Sequence, residues 1–127
     1  IVILATDAPL SDTLLRNLAK RAALGIGRSG TAGGNGSGDM FLAFSVADDM
    51  ADSVYAGPVI TRHSLNWDVL DPLYEAAVEA VDESVINAIV QGEDVATVKP
   101  EGKVCHGIDT GALRAVMAKY GRLNNPG

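Results

Sequence analysis

The chain has 127 residues, room for one domain and too little for two ordinary ones. Ten Lys and Arg against 16 Asp and Glu give a net charge of −6, which argues against sequence-independent nucleic-acid binding, because that needs clustered cations. The 47% hydrophobic and 20% charged fractions are globular values. The single cysteine excludes an intrachain disulfide framework, and no stretch approaches the ~20 apolar residues of a membrane span. Glycine is in excess, 14 of 127 residues against a usual ~7%, and half of it falls between Gly25 and Gly38.

Ile1 to Thr6 is a continuous apolar, β-branched run of the kind that forms a strand buried on both faces. A chain that opens on a core strand reads equally as a cut product or as one whose disordered start is left out. Pro9 interrupts the run, since it has no N–H for a ladder. Ser11 is positioned to N-cap a helix with Asp12 in its first turn. Leu14, Leu15, Leu18, Ala19 and Ala22 share one face of that helix. Arg16, Lys20 and Arg21 favour its later part, and Gly25 is placed as the residue just past its end.

A glycine-rich loop then occupies residues 25–38, followed by an apolar strand from Asp39 to Ala47. Gly57-Pro58 marks a turn and Val59-Ile60-Thr61 a short strand. Asp71-Pro72 supplies an N-cap and a proline for the first turn of a long helix that Gly92 can end. Its stripe of Leu73, Ala76, Ala77, Ala80, Val81, Ser84, Val85 and Ala88 consists mostly of small residues that permit close approach. Residues 93–108 are a polar connection with Val104-Cys105 as a weak strand. Asp109 caps a last helix whose face carries Leu113, Val116, Met117 and Tyr120, and Gly121 ends it. The pattern is mixed α and β, and two central strands are few for an independent sheet, which implies strands from a partner chain.

One constellation is dense enough for chemistry: the loop from Ser29 to Asp39. Were the strand to begin near Ser37, Ser37 and Asp39 would leave its same face, because strand side chains alternate with period two. That would set a hydroxyl beside a carboxylate. The competing reading is a flexible surface loop with an Asn35-Gly36 turn. Familiar glycine motifs fail here. A phosphate loop needs Gly-Lys-Ser/Thr, and the dinucleotide fingerprint opens a helix rather than a strand. A nucleophile elbow needs Gly where Asn35 stands, and an EF-hand needs more acidic ligands. His63, Cys105 and His106 lack zinc spacing. Cys105 reads as a plain buried thiol and His106 as a turn residue. Trp67 and Tyr74 are too sparse for a base-stacking surface.

Residues 1–10, Ile-Val-Ile-Leu-Ala-Thr-Asp-Ala-Pro-Leu, resemble the start of the small subunit of the L-aminopeptidase/D-esterases and β-peptidyl aminopeptidases. Gly-Asn-Gly-Ser-Gly-Asp at 34–39, followed by Met-Phe-Leu-Ala-Phe-Ser, resembles that family's second signature. Leu70 to Ala76 and Lys119 to Arg122 match it more weakly. The resemblance implies a four-layer α/β/β/α sandwich of the N-terminal-nucleophile-hydrolase kind, shared with a large subunit, with residues 1–127 forming part of one domain. It implies a precursor that cuts itself before a serine, whose hydroxyl becomes the nucleophile and whose new α-amine becomes the base.

The family has Ser-Ile before the apolar run, whereas this sequence starts at Ile1. The nucleophile is therefore expected just upstream; the alternatives are a Thr nucleophile in a related hydrolase or acyltransferase, or a non-catalytic subunit. The resemblance assigns catalytic roles to Ser37 and Asp39, and substrate binding to Asn35, Gly36 and Gly38. It implies no metal and no organic cofactor, a small peptide, amide or ester substrate, and an oligomer of large–small heterodimers. No nucleic-acid or membrane partner is expected. A cytoplasmic location is expected, a periplasmic one requiring a signal peptide in the upstream part.

Overall fold

The computed structural model describes residues 1–47, 58–59 and 61–123. The turn at Gly57 and Ile60 of the expected short strand lie outside the described residues, as does the end of the polar tail. The chain divides into two compact units, Ile1–Glu83 and Ser84–Gly127.

The first unit is built on strand β1 (Val2–Thr6), helix α1 (Asp12–Arg28) and strand β2 (Phe41–Ser45). The strands pair in parallel, Val2 opposite Phe41 through Thr6 opposite Ser45. Ladder-type bonds continue beyond both ends: Val2 N–H donates to the Met40 carbonyl at 2.9 Å and Val46 N–H to the Thr6 carbonyl at 2.8 Å. At the far end the Ser45 hydroxyl donates to the Ala8 carbonyl at 2.6 Å. That bond takes up a backbone acceptor where Pro9 interrupts the chain.

Alternation gives the pair two different faces. Leu4 and Ala43 pack against the apolar cluster of Leu10, Leu14, Leu18, Leu70 and Ala77. The opposite face carries Ile3, Leu42 and Phe44, which are 62%, 55% and 42% exposed. The strand expected to be buried on both faces is thus covered on one. A two-stranded sheet with a bare apolar face is not a self-sufficient structure in water.

Helix α1 starts at the expected place, but Ser11 makes no side-chain cap bond. It also runs past Gly25, which is not its end: the last helical residue is Arg28 and Ser29 is the C-cap. Gly25 serves a packing role instead. A Cβ there would lie 2.6 Å from Val81 Cβ and 2.7 Å from the Val78 carbonyl oxygen, so α1 meets helix α2 (Asp71–Val90) at a near backbone-to-backbone crossing. Only Ala77 and Val81 of the expected stripe are buried in α2, together with Val78. A 3-10 turn, Trp67–Val69, leads into α2, capped by the Asn66 side chain accepting from Asp68 N–H.

The second unit holds the end of α2, a short antiparallel hairpin of β3 (Val95–Ala96) and β4 (Val104–Cys105), and helix α3 (Thr110–Lys119). The strand Val104-Cys105 appears as expected; its partner β3 lies in what the sequence presents as a polar connection. Thr97 sustains the hairpin beyond its two paired positions, with N–H to the Lys103 carbonyl at 3.0 Å and its hydroxyl to the Pro100 carbonyl at 2.6 Å. Asp109 caps α3 as expected, its carboxylate accepting from Ala112 N–H at 2.9 Å. None of α3 is buried in this chain.

Candidate active site

The glycine loop that joins α1 to β2 begins at Ser29, not Gly25, because α1 extends to Arg28. Ser29 keeps near-helical angles (φ −77°, ψ 4°), and Gly30 then turns the chain with φ +104°, open to glycine at no steric cost. Gly33, at φ +65°, makes a second turn, its N–H donating to the Thr31 hydroxyl at 3.2 Å. Ser37 N–H donates to the Gly34 carbonyl at 2.8 Å, which closes a turn with Asn35 and Gly36 at its centre. Neither central residue has positive φ. The turn is therefore not the primed type that folds a hairpin back on itself, in keeping with a loop that feeds a parallel strand.

Regular strand structure starts at Phe41. Ser37 and Asp39 thus lie in the irregular approach to the strand, and the alternation that would put them on one face does not extend to them. What places them is the register. Met40, next to Asp39, takes the Val2 N–H, so the Ser37–Asp39 segment lies at the end of the sheet where β1 begins. Asn35, Gly36, Ser37, Gly38 and Asp39 are all exposed in this chain. Helix packing positions the entry to the loop: the Ser29 hydroxyl donates to Asp82 Oδ1 on α2 at 2.9 Å.

The other reactive side chains are elsewhere. Cys105 is exposed, correcting the expectation of a buried thiol; it sits in a two-residue strand that buries neither residue. His106 is more than a turn residue. Its Nδ1 lies 3.0 Å from Asp94 Oδ2, and Asp94 Oδ1 accepts from Gly107 N–H at 2.9 Å. The His106 and Gly107 hydrogen bonds hold the Asp94 carboxyl below its ordinary pKa. The pair faces across the open end of the β3–β4 hairpin, one step beyond the Val95–Cys105 pairing. Sequence spacing alone does not disclose it, because the register of so short a hairpin is not legible. Among the described residues, no group of three or more His, Cys, Asp and Glu is arranged to hold a metal ion, and no helix is long and apolar enough to cross a membrane. A surface groove of about 700 Å³ lies along α1 and α2, lined by Arg21, Leu24, Arg28, Tyr74 and Glu75 among others. The Arg21 guanidinium stacks 4.3 Å from the Tyr74 ring centroid, and no residue of the loop from Gly30 to Met40 lines that groove.

Comparison with known proteins matches this geometry to a family. The model of peptidase family S58 covers residues 1–102. The chain is 43% identical over 123 residues to a β-peptidyl aminopeptidase of Sphingosinicella microcystinivorans, spanning 97% of this chain and 30% of that protein. The solved L-aminopeptidase D-Ala-esterase/amidase of Ochrobactrum anthropi, described as a prototype of the serine aminopeptidases and a variant of the Ntn hydrolase fold, is 43% identical with a TM-score of 0.84. That match covers 96% of this chain and 34% of the other. A β-aminopeptidase from a Burkholderia species is 31% identical with a TM-score of 0.79, over 96% of this chain and 35% of its own. The chain therefore spans about a third of the length of the relatives it matches. The α/β fold class read from the sequence is that of these Ntn-hydrolase relatives. With that model matching most of its length, the chain belongs to peptidase family S58.

Proposed function

We propose that this chain is the small subunit of a self-cleaved serine aminopeptidase/amidase, in which a serine directly before Ile1 is the nucleophile and Ser37 and Asp39 complete its site. The observation that carries the reading is the parallel register. Val2 faces Phe41 and bonds to Met40. The Val2–Met40 bond ends that ladder, so a residue preceding Ile1 lies at the same end of the sheet as the Ser37–Asp39 segment. A nucleophile there would lie beside the segment that carries Ser37 and Asp39.

The chemistry is acyl transfer to water. The serine Oγ bonds to the carbonyl carbon of an N-terminal amide, peptide or ester as its proton passes to the α-amine. Ser37 hydrogen-bonds the nucleophile or its amine, and Asp39 orients Ser37 or holds an ammonium group. The tetrahedral oxyanion needs fixed donors, supplied chiefly by the large subunit. Collapse breaks the bond to the leaving group, which takes the proton from the α-ammonium. Water then attacks the acyl-serine ester and releases the acid. The loop around Asn35, Gly36 and Gly38 contributes to the substrate site, with its backbone open to close approach. No metal or organic cofactor takes part.

The large subunit is the proposed cover for the bare sheet face of Ile3, Leu42 and Phe44, and sheet-on-sheet packing would yield the four-layer α/β/β/α sandwich. We assign an oligomer of such heterodimers and a cytoplasmic location. The test is turnover of a chromogenic aminoacyl anilide by the protein made from its full gene. Hydrolysis is expected, and Ser37→Ala should lower kcat by ~10²-fold or more while both subunits still co-purify. A wild-type rate in Ser37→Ala would remove that residue from the site. Absence of hydrolysis in the wild-type protein would favour a non-catalytic subunit.

A further inference from the structure

The geometry points to Asp82 as a positioning residue for the catalytic loop, acting through Ser29; this inference rests on the site proposed above. Every glycine between Gly30 and Gly38 is in open space: a Cβ added at any of them would meet nothing within 4 Å. Within this chain the loop therefore gains no precision from packing. Its internal hydrogen bonds, Gly33 N–H to Thr31 and Ser37 N–H to Gly34, are local and fix its curvature but not its placement. Placement comes from its two ends. At one end Met40 is fixed to β1 through Val2 N–H at 2.9 Å. At the other, the Ser29 hydroxyl donates to Asp82 Oδ1 at 2.9 Å across 53 residues of sequence. Both ends are thus held by contacts distant in sequence.

The bond acts at a leverage point. Ser29 is the C-cap of α1, and Gly30 redirects the chain at the next residue. A cap free to rotate would loosen the glycine-rich segment that runs to Ser37 and Asp39, leaving it held only at its Met40 end. Asp82 is half-buried on the turn of α2 that follows Val78 and Val81, the residues in contact with Gly25. The helix crossing that Gly25 permits therefore also fixes the acceptor. Reaction rates are steeply sensitive to such placement, a displacement of about 1 Å being enough for a ~10²-fold loss.

The experiment uses the processed two-subunit enzyme made from the full gene, with kcat expressed per active site. Asp82→Ala and Ser29→Ala are each expected to lower kcat about tenfold, leaving KM within about twofold and the melting temperature close to wild type. The double variant should be no slower than either single one, since both remove one bond. Asp82→Asn, which keeps an acceptor oxygen in place, should restore most of the rate. Wild-type kcat in either alanine variant, additive losses in the double variant, or failure of Asp82→Asn to rescue would each overturn the inference. Ser37→Ala, run alongside, separates the two levels: if it is slow while the anchor variants are fast, only the anchor fails; if it is fast, the site itself fails and the anchor with it.

Discussion

Replacing Gly25 by Ala tests the packing that holds α1 against α2. Gly25 is a helical residue without positive φ, so backbone strain plays no part. In an open helical position Gly→Ala stabilises by about 0.8–1 kcal/mol. Here the new methyl carbon would sit 2.6 Å from Val81 Cβ, 2.8 Å from Val81 Cγ1 and 2.7 Å from the Val78 carbonyl oxygen. Side-chain rotation moves only the γ carbon. The Cβ and the carbonyl belong to the frame of α2, so the helices must separate by most of an ångström to restore contact near ~3.5 Å. Overpacking of this kind costs about 1–3 kcal/mol, which outweighs the gain in propensity.

Gly27 is the internal control: it lies in the same helix, with nothing within 4 Å of its would-be Cβ. Denaturant unfolding of the mature protein should show Gly25→Ala destabilised by up to about 2 kcal/mol, the overpacking cost less the propensity gain, and Gly27→Ala stabilised by up to about 1 kcal/mol. A Gly25→Ala protein as stable as Gly27→Ala would refute the close crossing.

Asp94 provides a pH prediction. Its carboxyl is depressed by His106 first and then by Gly107 N–H, so the stability it lends the hairpin is complete above the ordinary aspartate range and is lost as pH falls through the depressed value. NMR titration should find its midpoint raised in His106→Ala; an unchanged midpoint would count against the pair. Asp109→Ala should cost about 1 kcal/mol by freeing the Ala112 N–H at the start of α3, measured by denaturant unfolding; no loss would mean that the cap adds nothing.

The elements with strong local signals are legible in the sequence. The apolar runs at 1–6 and 39–47 locate β1 and β2, although the ladder occupies only Phe41–Ser45 of the second. Asp109 announces α3 because an N-cap is a contact between near neighbours. Gly25 misleads for a physical reason: a glycine near the end of an apolar periodicity looks the same whether it ends the helix or admits a second helix, and only the partner Val81 decides. Ser37 and Asp39 emerge through motif resemblance. Strand alternation does not place them on one face, because the strand starts after them. Asp82 carries no local sign of its bond to Ser29, since the contact joins residues 53 apart. Asp94 and His106 are hidden by a hairpin with only two paired positions on each strand.

The central claim is that a serine, released by self-cleavage, precedes Ile1 at the end of the sheet where Ser37 and Asp39 lie. Intact-mass measurement with N-terminal sequencing of the protein made from its full gene tests it most directly. Two chains are expected, the smaller beginning Ser-Ile-Val-Ile-Leu. A single uncut chain, or a smaller chain beginning with any other residue, would contradict it.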